Sequence, residues 1–263
     1  MDALTLVLPH FMNLKMFAEQ QRVWAAYPAD LRARLHVIVV DDGSPKGHRL
    51  SQKQVTVEGL ASLRMFRLVY PGEKVRWNWL ACRNLGAAKA STDWLFLTDM
   101  DHVIPAETLA RVLEYPAQTK DVYRFSRVTA ARTWPYRIDA CEPYKPHNDT
   151  WLMAKSLFFD PRVGGYDERL SGCYGTSGEF TGRLRAAARA VVLLPDVIVR
   201  YPREVIADAS TSPDLYTRKN DPVNEEELRK RKHARACIPN WTPVHGLVPS
   251  QLVYSAVGSA VAA

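Results

Sequence analysis

Short apolar runs alternate along this chain with longer stretches of helical period. Leu4-Thr5-Leu6-Val7-Leu8 reads as a first strand, halted by Pro9 and His10. Asn13 then opens a helix to about Tyr27, with Leu14, Phe17, Val23, Trp24 and Tyr27 on its apolar face. Beyond Pro28, residues 35–40 form a second buried strand that runs straight into Asp41-Asp42-Gly43-Ser44-Pro45, where Gly and Pro permit a sharp turn. An Asx turn would account for one of those aspartates better than for both. Residues 63–69 read as a third strand. Pro71-Gly72 leads on to a helix over about 75–90, with Trp79, Cys82 and Leu85 on one face. The next apolar run, Trp94-Leu95-Phe96-Leu97, is too short for a helix and suits a strand covered on both faces. A helix over 105–114 follows it.

The second half is less regular. A strand is expected at 121–128, then an irregular segment over 130–150 carrying Arg132, Trp134, Tyr136, Arg137, Tyr144, Lys145 and His147. Interleaved aromatic and basic residues on a loop of that length suit a substrate-facing lid or a solvated loop. Residues 150–159 read as strand again. Glycines 164, 165, 172, 175 and 178 signal tight backbone close to a ligand or another segment. A helix over 179–189 and a strand over 190–194 or slightly beyond come next. The clearest helical pattern is 221–236, with Asn224 as cap, Glu227 as capping-box partner and Glu225/Arg229, Glu226/Lys230 and Glu227/Arg231 as i,i+4 pairs. Its basic end suits the helix dipole and a solvated face, or a phosphate contact. The uncharged final stretch, 246–263, packs as strand or helix or frays.

Strands alternating with helices predict an α/β domain with a parallel sheet. Ligands of such sheets bind at the carboxyl ends of the strands, where strand order reverses. Both aspartate clusters, Asp41-Asp42 and Asp99-Met100-Asp101, stand at carboxyl ends. Two carboxylates two positions apart on an extended backbone leave on the same side and repel unless a cation lies between them. Oxygen ligands of this kind suit Mg²⁺ or Mn²⁺. The plainer reading makes Asp101 a helix N-cap ahead of Pro105 and Glu107.

At 263 residues, 47% of them hydrophobic and 24% charged, the chain can bury one large core or one core and a small appendage. The net charge of +7 favours an anionic partner: nucleotide, nucleic acid or acidic membrane surface. The cysteines (82, 141, 173 and 237) show no metal-ligand spacing, which fits a reduced, cytoplasmic protein, in the host cytoplasm if viral. No basic leader precedes the first apolar run, and the small-residue tail is a poor membrane span.

Taken in order, Val39-Val40-Asp41-Asp42-Gly43-Ser44, Arg83-Asn84-Leu85-Gly86, Asp99-Met100-Asp101, Gly164-Gly165-Tyr166-Asp167-Glu168 and a Gly-rich turn before Arg183-Leu184 resemble the family-2 type of nucleotide-sugar glycosyltransferase. The resemblance covers about residues 3–200. It implies the GT-A fold: a Rossmann-like mixed sheet flanked by helices, here with a C-terminal helical extension. The domain would span 1–205, with a nucleotide-binding half over about 1–102 and an acceptor half over about 103–205. Residues 206–263 would pack on it. The resemblance further implies a nucleotide-sugar donor, UDP-linked, and Mn²⁺ or Mg²⁺ held by Asp99, Asp101 and His102. Pro9, Asp41, Asp42, Arg83 and Asp99 would contact the nucleotide. Relatives place a Glu-Asp pair before the last helix as general base, where this chain has Thr176-Ser177. Glu179 is the nearest carboxylate; failing it, Asp167, Glu168 or a retaining mechanism would serve, so inversion and retention both stay open. Relatives also place a metal-binding histidine after the strand near 190–200, where only Asp208 stands as a weak replacement.

The expected acceptor is a glycan or protein hydroxyl, or a hydroxymethylated DNA base, for which the 132–147 loop and the basic helix near 229–235 would supply stacking and phosphate contacts. Two other readings remain open: a nucleotidyltransferase, against which Pro9-His10-Phe11-Met12-Asn13 lacks a Gly-rich basic loop, and a non-catalytic nucleotide-sugar-binding domain. Oligomeric state is not legible.

Overall fold

The computed structural model describes residues 1–70, 78–129, 146–173, 175–206, 226 and 229, and the backbone of 248–257. In chain order its elements are β1 (Leu4–His10), α1 (Leu14–Ala25), the short α2 (Ala29–Arg32), β2 (Leu35–Asp41), β3 (Ser62–Val69) and α3 (Trp79–Lys89). There follow β4 (Trp94–Leu97), β5 (His102–Val103), α4 (Ala106–Glu114), β6 (Asp121–Thr129), β7 (Trp151–Ala154), the short α5 (Lys155–Phe158), α6 (Ser177–Ala187), β8 (Ala190–Arg200) and β9 (Val248–Val257). Strands and helices alternate as their hydrophobic periods require.

Nine strands among the described residues make one mixed sheet, in the order β5-β8-β6-β7-β4-β1-β2-β3-β9. The chain lays down β1, β2 and β3 side by side in parallel, then returns to place β4 on the other side of β1. Strand order therefore reverses between β1 and β4, where an open α/β sheet offers its ligand crevice. β7 runs antiparallel between β4 and β6, with Trp151 opposite Leu97.

Period-two alternation sends β1 and β2 side chains to two separate cores. Leu4, Leu6, Leu8, Leu35, Val37 and Val39 pack with Met16, Phe17 and Trp24 of α1 and Leu109, Val112 and Leu113 of α4. Val7, Ile38 and Val40 pack on the opposite face with Leu80, Ala81 and Leu85 of α3 and Phe180 and Leu184 of α6. The β1–α3 contact is so close that a Cβ on Gly86 would collide with Val7 Cγ1. This gives one glycine of the Arg-Asn-x-Gly string a packing role.

Several sequence expectations are corrected. Residues 150–159 are not one strand: β7 ends at Ala154 and the chain turns into α5. The strand read over 190–194 or slightly beyond runs to Arg200. A register shift between Phe125 and Ser126 of β6 takes Pro195 and Asp196 out of the pairing, so the proline costs no ladder bond. Asp101 is not a helix N-cap, since α4 begins at Ala106 after Pro105. In the C-terminal stretch, β9 adds an antiparallel strand to β3. The helix read over 221–236 lies outside the described residues, apart from Glu226 and Arg229, which are helical and ion-paired at 2.8 Å. The first turn of the helix expected from Val75, the 130–145 part of the aromatic and basic loop, and Asp208, Cys141 and Cys237 also lie outside them.

The close β1–α3 approach is testable. Gly86→Ala is expected to lower unfolding free energy by about 1–3 kcal/mol through overpacking. Combining it with Val7→Ala, which removes the struck methyl, should cost less than the sum of the two single changes. Additive costs in denaturant melts would disprove the contact.

Candidate active site

The crevice between β1 and β4 is floored by a buried guanidinium. Arg83, on α3, is 0% exposed and lies 4.7 Å above the Trp79 ring and 5.5 Å from that of Tyr166. Its Nη1 donates to the Asp149 carbonyl at 2.7 Å and to the Tyr166 hydroxyl at 2.9 Å, and its Nη2 donates to Asp99 Oδ1 at 2.5 Å. Burial works to lower its pKa, but Tyr166, Asp99 and Asp149 around it outweigh that and hold it above the ordinary value. Asp99, just past the end of β4, feels the reverse balance. Burial opposes its charge, and Arg83, with the two neighbouring histidines, outweighs that and holds its pKa below the ordinary value. Asp149 competes for the same guanidinium, 3.8 Å away, and burial together with the Asp99 charge pushes it up to about 7.

Around Asp99 the sheet assembles two histidines. His102, on β5, is 2% exposed; its Nδ1 meets Asp101 Oδ1 at 2.7 Å. Its main chain is fixed as well, because Gln20 of α1 donates to the His102 carbonyl at 2.7 Å. His147 arrives from the segment before β7. Because Trp151 pairs with Leu97, the chain entering β7 lies beside the chain leaving β4, and Thr98 and Thr150 share a 2.8 Å hydrogen bond. The rings of His102 and His147 stack at 4.4 Å, and His147 Nε2 lies 3.5 Å from Asp99 Oδ2. Burial pushes the His147 pKa down to about 3, so its imidazole is neutral. Asp99, His102 and His147 each offer a ligand atom within 4.8 Å of the others, a set able to hold a metal ion. Asp101 stands outside that set: its second oxygen faces Arg200 Nε at 3.5 Å.

The early aspartates sit at the end of β2, next to the end of β1, with Pro9 opposite Val40 and His10 opposite Asp41. Asp41 Oδ1 accepts from the Ser44 amide at 2.9 Å and lies 3.5 Å from His10 Nδ1, while Oδ2 accepts from Arg67 at 3.3 Å. Burial would raise its pKa; His10 and Ser44 lower it on balance. Asp42 accepts from the Asn78 amide at 2.9 Å and from the Tyr70 hydroxyl. Thus Asp41 holds the turn through the Ser44 amide three residues on, and Asp42 ties β2 to the start of α3. Both carboxylates are buried among protein donors.

The Gly-Gly-Tyr-Asp-Glu string is held to α3 by Asn84. The Asn84 amide donates to the Tyr166 carbonyl and to Glu168 Oε1, both at 2.9 Å, and its oxygen accepts from the Tyr166 amide at 2.8 Å. Gly165 has φ of +68°, and a Cβ there would stand 2.8 Å from that same oxygen, so both conformation and space demand glycine. Asp167 accepts from the Arg169 guanidinium at 2.9 and 2.7 Å and caps the 3₁₀ turn Glu168–Leu170. Glu179, in the first turn of α6, accepts from Arg183 at 2.6 and 2.7 Å, and Arg183 also donates to the Gly165 carbonyl. The structure therefore brings Arg83, Asp99 and His102 into one cluster and sets Asp41 and Asp42 at the neighbouring strand end. Asp167 and Glu179 each carry an arginine. Sequence reasoning missed His147 and Asp149 as members of the cluster.

Residues 25–188 match the model of the glycosyl transferase family 2 domain. Among solved structures, the fold resembles Staphylococcus aureus TarS residues 1–349, with a TM-score of 0.52 and 15% identity over 89% of this chain and 72% of that one. In full-length TarS the matched part is 44% of the length. The TarS complex with UDP-GlcNAc gives a TM-score of 0.53 at 16% identity, over 89% of this chain and 73% of that one. The mannosyltransferase PcManGT from Pyrobaculum calidifontis, in complex with GDP-Man and Mn²⁺, gives 0.52 at 16%, over 88% and 73%. No curated protein matches.

The Asp167 pairing predicts a pH signature. Burial works against the Asp167 charge, but its bonds from Arg169 win and lower its pKa on folding. A carboxylate depressed in the folded state contributes stability above its unfolded pKa, and this is lost as pH falls through the folded value. Asp167→Asn should cost about 1–2 kcal/mol at pH 7. The gap from the parent should close as melts are taken below about pH 4. A gap independent of pH would show that the ion pair contributes nothing.

Proposed function

The chain belongs to glycosyl transferase family 2 and is a glycosyltransferase, and we propose that it moves a sugar from a UDP-linked donor to an acceptor hydroxyl with a divalent cation at the mouth of β4. One observation carries the reading: a carboxylate and two imidazoles converge at the carboxyl end of β4, beside the β1–β4 reversal where the sheet offers its crevice. His102 Nε2, buried and without a hydrogen-bond partner among the described residues, is a ligand atom of the kind a cation would satisfy. That PcManGT was solved with GDP-Man and Mn²⁺, and TarS with UDP-GlcNAc, supports the same pairing of sugar nucleotide and, for PcManGT, metal here.

In this reading the ion, when bound, neutralises the diphosphate as the glycosidic bond breaks. Asp99 and His102 lie on the metal side, with Asp101 beside them, and Arg83 keeps Asp99 ionised and in place. Pro9, Asp41 and Asp42 shape the nucleoside end of the crevice; the bonds to Ser44, Arg67 and Asn78 keep that end rigid. The acceptor oxygen attacks the anomeric carbon, the bond to the diphosphate breaks, and a carboxylate takes the acceptor's proton. Glu179 is assigned that task, with Asp167 the second candidate. Residues 1–205 form the catalytic domain, nucleotide-binding over about 1–102 and acceptor-facing over 103–205. Residues 206–263 pack on it, as the β3–β9 pairing supports. No helix among the described residues is long and apolar enough to cross a membrane. The acceptor is a glycan, a protein or a hydroxymethylated DNA base.

A thermal-shift screen of sugar nucleotides with and without Mn²⁺ tests the donor. A bound donor at 100 times its Kd adds about 2.7 kcal/mol of stability, a shift of several degrees. If no sugar nucleotide shifts the melt and none is hydrolysed, transfer is the wrong reaction. Glu179→Gln should lower kcat by about 10²–10⁴-fold while donor affinity stays within a few-fold. Undiminished turnover would transfer the role to Asp167. If the acceptor is duplex DNA, binding must weaken steeply between 50 and 200 mM salt (roughly 10³-fold or more for six or more phosphate contacts). A flat salt response removes DNA from the acceptors.

A further inference from the structure

The sequence pattern points to an oxygen-only site in which both aspartates of Asp99-Met100-Asp101 grip the ion. The side-chain arrangement is different. We propose that Asp99, His102 and His147 are the ligands of one divalent transition ion, and that Asp101 acts one step back as a positioning residue that fixes the His102 ring. This rests on the metal-dependent transfer reading above and specifies its ligands.

Each imidazole is already committed at Nδ1. His102 Nδ1 faces the Asp101 carboxylate at 2.7 Å, and His147 Nδ1 faces Thr150 Oγ1 at 3.2 Å. Thr150 is itself bonded to Thr98. A carboxylate on Nδ1 places the ring proton there and leaves Nε2 as the lone-pair nitrogen. His102 Nε2 is buried with no hydrogen-bond partner among the described residues, an arrangement that costs free energy unless a ligand completes it. His147 Nε2 already faces Asp99. Carboxylate, imidazole and metal in series is the usual outer-shell arrangement of histidine ligands. Asp101 is engaged at both oxygens, by His102 and by Arg200, which suits an orienting group better than a ligand.

The donor set fixes the class of ion. Mg²⁺ demands oxygen ligands and keeps its waters, whereas two imidazoles and one carboxylate suit Mn²⁺, Co²⁺ or Zn²⁺. Three ligand atoms come from the chain itself, so binding of the ion is expected to need no nucleotide.

Calorimetry of the metal-free full chain with Mn²⁺ and with Mg²⁺, and pulsed electron paramagnetic resonance of the Mn²⁺ complex, test this. Mn²⁺ should bind without nucleotide at least tenfold more tightly than Mg²⁺ and show coupling to imidazole nitrogen. His102→Gln and His147→Gln should each weaken Mn²⁺ by roughly 100-fold or more, and Asp101→Asn by about 10–100-fold with nitrogen coupling retained. Circular dichroism and metal-free melts identify any variant that fails to fold. For such a variant the nitrogen coupling of the parent protein decides. Mn²⁺ bound without nitrogen coupling, equal affinity for Mg²⁺, or an Asp101→Asn within twofold of the parent overturns the assignment. Donor binding with an oxygen-only Mn²⁺ site would sink this ligand set and leave sugar transfer standing. A nitrogen-coupled site in a protein that binds no sugar nucleotide would do the opposite.

Discussion

The site depends on one buried guanidinium. Arg83 has no access to solvent, and its charge is tolerated because Asp99, the Asp149 carbonyl, the Tyr166 hydroxyl and two aromatic faces surround it. Removing one partner from a buried pair of this kind costs about 3–5 kcal/mol, because the remaining charge stays buried without compensation. The three anchors belong to three separate stretches of chain: the end of β4, the approach to β7 and the Gly-Gly-Tyr turn. Arg83 thereby fixes the separation of groups far apart in sequence. It also favours the charged form of both its carboxylates, against their burial. Asp99 takes the direct hydrogen bond and is held low, while Asp149 is pushed up.

Its neighbour Asn84 does for the backbone what Arg83 does for charge. Three hydrogen bonds at one side chain clamp Tyr166 and Glu168 against α3, and the resulting clearance at Gly165 excludes larger residues, as the Val7 contact does at Gly86. The Arg-Asn-x-Gly and Gly-Gly-Tyr-Asp-Glu strings therefore belong to one structural joint. Arg83 is the member of that joint that reaches the crevice. Asp167 and Glu168 serve it too, one capping a 3₁₀ turn on Arg169 and the other accepting from Asn84. A carboxylate in a family string need not face the substrate.

The alternation of strands and helices was legible because each of β1, β2, β3 and β4 is bounded by Pro, Gly or charge and buried on both faces. The carboxyl-end placement of Asp41, Asp42 and Asp99 followed from it. Three things were hidden, each for a physical reason. β8 runs through Pro195 because a bulge removes that residue from the ladder, which composition alone cannot reveal. β7 is only four residues long, and its antiparallel place between β4 and β6 depends on long-range pairing. His147 was visible as one polar residue in a long loop, and only the Leu97–Trp151 register sets it beside Asp99. Asp101 stands two positions from Asp99, but the chain does not stay extended there: the turn into β5 directs Asp101 toward His102 and Arg200 instead.

That turn also sets the electrostatics a donor would meet. Arg83 is spent on Asp99, Tyr166 and Asp149, and Arg200 faces Asp101, so the positive charges nearest the cluster are already committed. His147 is neutral, since its burial outweighs the attraction of Asp99. What remains exposed at the mouth is the partly accessible Asp99 carboxylate, a negative group where a diphosphate would approach. Like charges brought to about 4 Å would repel by about 4 kcal/mol at an effective dielectric constant of about 20. Neutral imidazoles cannot reverse that sign, but they can hold an ion that does. If an ion binds as proposed, metal and donor would be coupled through one carboxylate, because whatever fixes Asp99 would also fix the ion that a pyrophosphate meets.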